Sequence, residues 1–319
     1  TDTRTGLTTV IPPGDGAIPV WPEFHPAPAL DGVAALTGGK ADASVTARPI
    51  VAVKIDNYRA ARPHWGLERA DAVIELNVEG VSRFVALFHT RLPSEVGPVR
   101  SARTADLDLL SAMNRPVFAY SGANPGVTDW IRSAALSGVT VDFSGLHRPC
   151  YERTTERPGP HNLLFDARCA VAEATNAGAA QPLWDIDGGW TPPSGLATAD
   201  STFRVPMDGV VVDWKWDASQ GRYLRYQDEV PHLTDSGAQI AAATVVELFT
   251  SYVPSPVDAR SPHAVTVGTG DAVVHREGRA IEVTWSRPSA HDPFTFTTAD
   301  GDDVPLDRGV TWIELTRRP

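Results

Sequence analysis

The sequence has little lysine, no block of basic residues and no long apolar run. Only three of its 28 basic residues are lysines, namely Lys40, Lys54 and Lys215. The formal net charge is −11, so the composition excludes the broad positive surface that nucleic-acid binding requires and gives no attraction to anionic lipid. Apolar runs stay shorter than the ~20 residues of a membrane-spanning helix. Any anion that the protein binds must therefore be held by a local group of residues.

Cysteine is also scarce. Cys150 and Cys169 are the only two, which allows one disulfide but leaves two buried thiols as an equal alternative. Their spacing does not match the paired-cysteine motifs of zinc or thioredoxin-type sites. The GxSxG, HExxH, Walker and dinucleotide-binding motifs are absent too. The usual serine hydrolase, zinc protease and nucleotide-binding interpretations therefore have no support.

At 319 residues and 42% hydrophobic content, the chain is long enough for two domains with real cores. Prolines and glycines without periodicity predict an arm or tether over residues 1–48, and we expect that a signal peptide or lipid anchor before it has been removed. Strands alternating with helices predict an α/β domain over 49–180. A connector rich in Trp, Pro and Gly over 181–200 leads to a predominantly β domain over 201–319. The predicted fold class is α+β.

The pattern of the first half predicts both helices and strands. Helices are predicted over 104–113, 124–136 and 165–178, and strands over 50–56, 71–79, 83–90, 116–121 and 139–143. From Asp71 to Glu79 apolar and polar residues alternate, so Glu75, Asn77 and Glu79 share one face of a predicted half-buried strand. The next strand follows too closely for a parallel crossover, so we expect a mixed sheet.

Two groups of candidate functional residues lie at predicted strand ends. Asp56, Asn57 and Arg62 follow a buried strand, and ligands of α/β sheets bind beyond the carboxyl ends of strands. The alternative is that Asp56 and Asn57 only cap a turn. Glu75 and Glu79 form a carboxylate pair of the kind that divides acid and base roles in glycoside hydrolysis. The alternative for Glu75 is an exposed ion pair on the strand.

Two further groups are basic. Arg100, Ser101 and Arg103 stand where a loop meets a helix N-terminus, and arginine suits planar recognition of carboxylate or phosphate. The alternative is a salt bridge within the protein. A loop stiffened by prolines carries the last candidates: Arg157, His161 and Asn162. A histidine flanked by arginines suits acid, base or anion-binding roles near neutral pH, although a lone histidine is more often structural.

These residues lie in a series of ordered motifs that resembles the YerB-like family, also called the DUF3048 family. The motifs are VAVKIDN, ARPHWGLERADAVIE, VEGVSRF, GPVRSAR, PGPHNLL, GRYLRYQDEVPHLTD, VGTGDAVVHREGRAIEVTW and RGVTWIEL. They extend from about Leu36 to Leu315. The resemblance implies a secreted or lipid-anchored bacterial envelope protein with an α/β domain before a β-rich domain, and it implies no particular activity. One departure, Asp228-Glu229-Val230, stands where the family more often has glycine, which argues against a tight turn there.

The leading hypothesis is an extracytoplasmic envelope protein that binds an anionic, sugar-containing polymer of the cell-wall glycan class. Arg100, Arg103 and Arg157 would hold the acidic group. Whether a bond is also hydrolysed stays open; if so, His161 with Glu79 or Asp56 would be acid and base. The remaining binding candidates are Ser101, Asn162, Arg62, Asn57 and Glu75.

The rival hypothesis, from a different class, is a non-catalytic assembly or scaffolding lipoprotein whose charges form an internal network between the domains. We expect no cofactor, although Asp56, Glu75 and Glu79 could supply oxygen ligands to a divalent cation. We expect no nucleic-acid partner and contact with a membrane only through an N-terminal lipid anchor; the oligomeric state is left open. The geometry of Arg100, Glu79 and His161 discriminates between the two hypotheses. Mutually paired, buried side chains would favour the scaffold, whereas a pocket lined by unpaired donors would favour binding or catalysis.

Overall fold

The computed structural model describes residues 27–145 and 149–318, so most of the predicted arm lies outside the described residues. The described helices are α1 (Ala43–Thr46), α2 (Thr104–Leu110), α3 (Pro125–Leu136) and α4 (Ala167–Glu173), with short 3-10 turns at Arg59–Ala61 and Leu67–Arg69. The strands are β1 (Val51–Asp56), β2 (Ala72–Asn77), β3 (Ser82–Phe88), β4 (Val117–Tyr120), β5 (Val141–Ser144), β6 (Tyr151–Arg153), β7 (Leu163–Phe165), β8 (Thr198–Ala199), β9 (Thr202–Met207), β10 (Val210–Asp217), β11 (Arg222–Gln227), β12 (Val230–Pro231), β13 (Ala241–Ala242), β14 (Thr244–Phe249), β15 (Tyr252–Ser255), β16 (Asp258–Ala264), β17 (Gly268–Arg276), β18 (Arg279–Arg287), β19 (Thr295–Thr297) and β20 (Thr311–Thr316).

One 11-stranded sheet runs through both halves of the chain. Its order is β19, β18, β17, β14, β20, β2, β3, β1, β4, β5, with β8 paired to β18. The halves meet where β20 lies parallel between β14 and β2. β2 and β1 pair antiparallel with β3, whereas β1, β4 and β5 are parallel. The predicted mixed sheet and α+β class are confirmed, while the domain limits stay a prediction from the sequence.

A second sheet of five strands, β9 to β13, packs against one face of the large sheet. Apolar residues of β2 alternate between two cores: Ile74 packs with the side of α2 and α3, and Val73 with the side that includes Trp214 of β10. Every residue of β2 and β3 is buried. The predicted half-buried strand is therefore wrong, because the second sheet covers the polar face that was expected to meet solvent.

Local sequence accounts for the helix ends. In α3, Asn124 accepts a hydrogen bond from the backbone of Val127 at 2.9 Å and Pro125 occupies the first turn, as helix starts prefer. The helix predicted over 165–178 is shorter than expected: Asp166 caps its start, and the preceding residues form β7 against β6. Three-residue strands are too short to show a periodicity.

A tight turn joins β11 to β12, contrary to the expectation drawn from the missing glycine. Gln227 pairs with Val230, and the two residues between them, Asp228 and Glu229, have φ values of 53° and 67°. Positive φ at both central positions is the backbone of a two-residue hairpin turn. Asp228 is stabilised there because its carboxylate accepts from the backbone of Val211 at 3.2 Å.

Candidate functional site

The candidate site lies where β1 ends. β1, β4 and β5 are parallel, so their carboxyl ends meet at one edge of the sheet. β1 lies between β3 and β4 in the sheet. The strands that follow β1 in the chain, β2 and β3, lie on one side of it, and the later strands β4 and β5 lie on the other side. Such a reversal of strand order opens a crevice beyond the strand ends in α/β sheets. Asp56, the last residue of β1, lies at that point.

Asp56 orients His161. The Asp56 carboxylate is 2% exposed, and its Oδ2 lies 2.7 Å from His161 Nδ1. Its other oxygen accepts a hydrogen bond from the backbone of Tyr58 at 3.0 Å. A carboxylate beside Nδ1 selects the tautomer that donates from Nδ1, which leaves Nε2 as the nitrogen available to a ligand or proton. His161 Nε2 has no hydrogen-bond partner in residues 27–145 and 149–318.

Arg100 approaches the same carboxylate. Its Nε lies 3.0 Å from Asp56 Oδ2, but the N–H does not point along that line, so the contact is an ion pair without a hydrogen bond. The Arg100 backbone is fixed between β1 and β4, since it donates to Lys54 at 2.7 Å and accepts from Ser121 at 3.0 Å. Within the described part of the chain, no hydrogen bond uses its terminal amino groups, and the side chain is 26% exposed. These donors suit an anion.

Positive charge exceeds negative charge around Arg100. Four cations and three carboxylates converge on this edge of the sheet: Lys54, Arg83, Arg100, Arg103, Asp56, Glu79 and Asp106. Burial, with a smaller contribution from Arg103, lowers the pKa of Arg83 to about 10. Burial lowers the pKa of Lys54 to about 8, although Asp106 lies 2.6 Å from its Nζ. Both buried cations keep their charge near pH 7, so the site is positive in an otherwise acidic protein.

Ser101 contributes its backbone. Its carbonyl accepts from Arg83 at 2.9 Å, which holds that guanidinium under the loop. The Ser101 side chain is half-buried. Its hydroxyl has no hydrogen-bond partner among the described residues, so the predicted role as a ligand contact stays a prediction.

Glu79 is paired with Arg103 and with Ser261 of β16. Arg103 binds it in the two-pronged manner of guanidinium and carboxylate, with Nε 2.7 Å from Oε1. Partial burial raises the pKa of Glu79, but the hydrogen bonds from Arg103 and Ser261 outweigh it and lower the pKa to about 2. An acid held ionised down to pH 2 is poorly suited to donate a proton near neutrality. The geometry therefore favours Asp56 and His161 over Glu79 for acid and base roles.

The Glu79 pair should stabilise the fold in a pH-dependent way. The pKa falls from its ordinary 4.5 to about 2 on folding, so the stabilisation is complete above about pH 4.5 and is lost as the pH falls toward 2. Glu79 is 38% exposed, which limits the contribution to less than about 1 kcal/mol. We expect Glu79→Gln to lower the free energy of unfolding at pH 6 more than at pH 3, as measured by urea denaturation. The exposed Glu282→Gln is the control, and a difference that grows on acidification would contradict the assignment.

Glu75 lies in a separate, fully buried network. Arg225 of β11 donates to Glu75 Oε2 at 2.6 Å and lies 3.9 Å from Glu314 Oε1, and all three side chains are 0% exposed. Burial raises the pKa of Glu314 well above its ordinary value, and the neighbouring Glu75 adds to the rise. Burial therefore favours the neutral form of Glu314, which lessens the repulsion between the two carboxyl groups that face Arg225.

Asn57 belongs to the same network. It donates to Ser82 at 2.7 Å and to Glu75 at 3.2 Å, and its Oδ1 accepts from Gln227 at 2.6 Å. Asn57 is 2% exposed. Their burial does not favour contact with a ligand, so the predicted binding role of Asn57 and Glu75 stays a prediction; in this structure their hydrogen bonds join the two sheets.

Two histidines that the sequence did not single out as a pair connect this network to the candidate site. Arg225 Nη1 lies 2.7 Å from His232 Nδ1, His232 Nε2 lies 2.9 Å from His64 Nδ1, and His64 Nε2 lies 2.7 Å from the Asp56 carbonyl. Arginine can only donate, so each histidine must accept at Nδ1 and donate from Nε2. Burial lowers the pKa of His64 to about 3 and that of His232 well below its ordinary value, which keeps both neutral.

The remaining predicted contacts hold backbone around the site. Arg157 donates to the carbonyls of Ala61 and Pro63 at 2.6 and 2.5 Å. Asn162 accepts from a neighbouring arginine at 2.7 Å and donates to a backbone carbonyl at 3.1 Å. Arg62 donates to Asp228 at 2.6 Å, across to the second sheet. Their predicted contacts with a ligand stay predictions.

The carboxylates proposed for a cation are separated by their partners. Asp56 pairs with Arg100, Glu75 with Arg225, and Glu79 with Arg103. Within the described ranges, no group of three or more His, Cys, Asp or Glu side chains is arranged to hold a metal ion.

A disulfide joins Cys150 and Cys169, which answers the question that the sequence left open. It ties the start of β6 to α4, and β6 and β7 form the base of the loop that carries His161. A cleft of about 450 Å³ lies beside the disulfide, and a second of about 280 Å³ shares Ser94 and Glu95 with it. Neither of these two clefts is lined by residues of the candidate site.

Comparison with known proteins identifies the family. The profile described as "Protein of unknown function (DUF3048) N-terminal domain" matches residues 36–180, and that of the DUF3048 C-terminal domain matches residues 202–313. The chain belongs to the DUF3048 family. A protein of Bacillus subtilis strain 168 named "Putative lipoprotein YerB" is 28% identical over 295 residues, which cover 88% of this chain and 85% of YerB.

The crystal structure of Bacillus subtilis YerB matches this DUF3048 chain with a TM-score of 0.76 and 26% identity, over 90% of this chain and 97% of that one. The resemblance inferred from the motifs and the fold class are thereby confirmed. Across residues 27–145 and 149–318, every helix is too short or too polar to cross a bilayer.

The DUF3048 motif residues fall into three groups in space. Asp56, Arg100 and His161 form the partly buried cluster at the end of β1. Glu79 and Arg103 form the pair held by Ser261, and the fully buried network includes Asn57 and Glu75. Within residues 27–145 and 149–318, no hydrogen bond uses the terminal amino groups of Arg100 or Nε2 of His161 in the first group.

Proposed function

We propose that this protein acts outside the cytoplasm, at the cell envelope, and binds an anionic, sugar-containing polymer at the cluster formed by Asp56, Arg100 and His161. The observation that carries the proposal is Arg100: its Nε faces the buried Asp56 carboxylate, which also contacts His161 Nδ1, and no hydrogen bond to residues 27–145 or 149–318 uses its terminal amino groups. An arginine whose Nε is oriented by one carboxylate can still donate hydrogen bonds from its terminal amino groups to a second anion. The polymer's acidic group is that anion.

Two observations support the location, and the net charge argues against one class of partner. YerB, which covers most of this chain, carries the name of a lipoprotein. The Cys150–Cys169 disulfide is of the kind that persists in oxidising compartments. The negative net charge of −11 argues against a nucleic acid as the partner. A lipid anchor before the described residues would tether the protein at the outer face of the membrane.

If the bound polymer is also hydrolysed, His161 is the base and Asp56 the group that orients it. Asp56 selects the His161 tautomer through Nδ1, so Nε2 can take a proton from water. Arg100 would then stabilise negative charge that develops on the substrate. His161→Ala is expected to abolish any hydrolysis of envelope polymer while reducing polymer binding only in part.

We expect Arg100→Ala to weaken binding of anionic envelope polysaccharide by at least about tenfold, because one charge-assisted contact contributes about 1.5–3 kcal/mol. Binding is measured by titration with polymer fractions isolated from the envelope, with a neutral glucan as the ligand control. Arg132→Ala, which removes an exposed arginine of α3, is the matched protein control. Equal affinity of Arg100→Ala and the unaltered protein would rule out this site.

The second candidate function, a non-catalytic scaffold of envelope assembly, is favoured by the buried network. Arg225 and Glu314 from the second half of the chain meet Glu75 from the first, so the charges join the halves. Absence of binding to every envelope fraction, together with intact folding, would favour this scaffold over the binding protein.

A further inference from the structure

Tyr58 is an exposed aromatic side chain beside the candidate site. The residue is 52% exposed, whereas every other Phe, Trp and Tyr in residues 27–145 and 149–318 is buried or only partly exposed. Aromatic rings bury large apolar areas when they can, so leaving half of one in water forgoes a substantial hydrophobic gain.

The ring is held in place rather than left loose. The Tyr58 backbone donates to Asp56 at 3.0 Å, and its carbonyl accepts from Ala61 at 2.8 Å at the start of a 3-10 turn. The ring stacks on His161 with centroids 5.4 Å apart and planes 13° from parallel. The phenol hydroxyl makes no hydrogen bond to the described part of the chain. Tyr58 therefore presents an oriented apolar surface beside His161, with a hydroxyl that no described residue binds.

This combination matches the chemistry of a sugar ring. A pyranose has an apolar face of C–H groups and a polar rim of hydroxyls. The apolar face stacks on aromatic rings, and the hydroxyls form hydrogen bonds with polar side chains. A simple anion needs only Arg100 and gains nothing from an aromatic ring. Tyr58 stacks on His161, and His161 shares the Asp56 carboxylate with Arg100. A cluster that combines an aromatic ring with a cation in this way distinguishes acidic sugars from polyanions without rings.

We propose that Tyr58 is the stacking platform for a pyranose ring whose anionic substituent binds Arg100. This inference rests on the proposed function and names its ligand class: a phosphorylated or carboxylated sugar unit, rather than an acyclic polyol phosphate. Tyr58 sets the specificity, and Arg100 supplies the charge.

The test compares three defined probes, glucose 6-phosphate, glycerol 3-phosphate and inorganic phosphate, by NMR titration of the folded protein. The unaltered protein should bind glucose 6-phosphate about tenfold more tightly than glycerol 3-phosphate, equivalent to about 1.4 kcal/mol. Tyr58→Ala should remove this preference without changing phosphate binding. Tyr58→Phe should keep most of the preference, because the ring is retained. Leu136→Ala, at an 84% exposed position on α3, is the control for loss of a surface apolar group.

The outcomes separate the two proposals. If Arg100→Ala weakens binding of all three probes and Tyr58→Ala changes none of their affinities, the stacking platform is wrong and the anion site stands. If glycerol 3-phosphate binds as tightly as glucose 6-phosphate, the ligand class is wrong. If none of the probes binds and envelope polymer does not bind either, both proposals fail.

Discussion

Replacing Arg225 with methionine should lower the free energy of unfolding by about 3–5 kcal/mol, the largest effect that we expect from any single substitution. Arg225 is 0% exposed and is the cation that faces the buried carboxylate of Glu75. Its removal leaves the Glu75 carboxylate without a charge partner, and it leaves His232 without its donor. A buried charge that loses its partner is costly, because the desolvation cost remains and the attraction is gone.

The control for this prediction lies three residues earlier on the same strand. Arg222 is exposed, so Arg222→Met should change the stability by no more than about 0.5 kcal/mol. Both variants are compared by urea denaturation. A second readout is the tautomer of His232, seen in its imidazole nitrogen shifts, which Arg225→Met should alter. Equal stability of the two variants would show that the network does not hold the sheets together.

Removing the disulfide should be the next most destabilising change, at about 3 kcal/mol. Cys150 and Cys169 are separated by 19 residues, and closing a loop of this size restricts the unfolded chain by about that free energy. We expect the double variant Cys150→Ala/Cys169→Ala to unfold at lower urea concentration than the unaltered protein.

The same bridge also ties down the loop that carries His161. β6 follows Cys150 directly, and its partner β7 follows His161, so faster hydrogen exchange should appear in β6 and β7 of the double variant. A reducing agent should bring the unaltered protein to the stability of the double variant and should leave that variant unchanged. A double variant as stable as the oxidised protein would contradict this role.

Local signals in the sequence are sufficient for much of the fold. α3 begins as predicted because Asn124 caps it and Pro125 occupies its first turn, both of which depend on neighbours in the chain. β1 and the pair of β2 and β3 were predicted from the period of their apolar residues and from the short link between them. The ribbon of β6 and β7 was missed, because its strands are three residues long.

For the candidate site, the sequence predicted the individual residues but not their grouping in space. Asp56, Arg100 and His161 were each selected from their types and neighbours, and the structure brings them together. Their grouping could not be derived from spacing, since His161 follows Asp56 by 105 residues. Tyr58 was not selected, because an exposed tyrosine looks the same in sequence as a buried one. His64 and His232 contact each other although 168 residues separate them in the chain, so no local pattern could predict the contact.

By itself, the sequence determined the α+β class, the mixed sheet and the membership of the DUF3048 family, because composition, periodicity and ordered motifs are properties of the chain. Only the tertiary structure decided which carboxylates face solvent. The alternation in β2 correctly placed Glu75 on a polar face, but the second sheet covers that face with Arg225. Burial is set by which distant strands pack together, and no local pattern encodes the partner. The structure therefore encloses Glu75 between the sheets and leaves Asp56, Arg100 and His161 together as the candidate site at the end of β1.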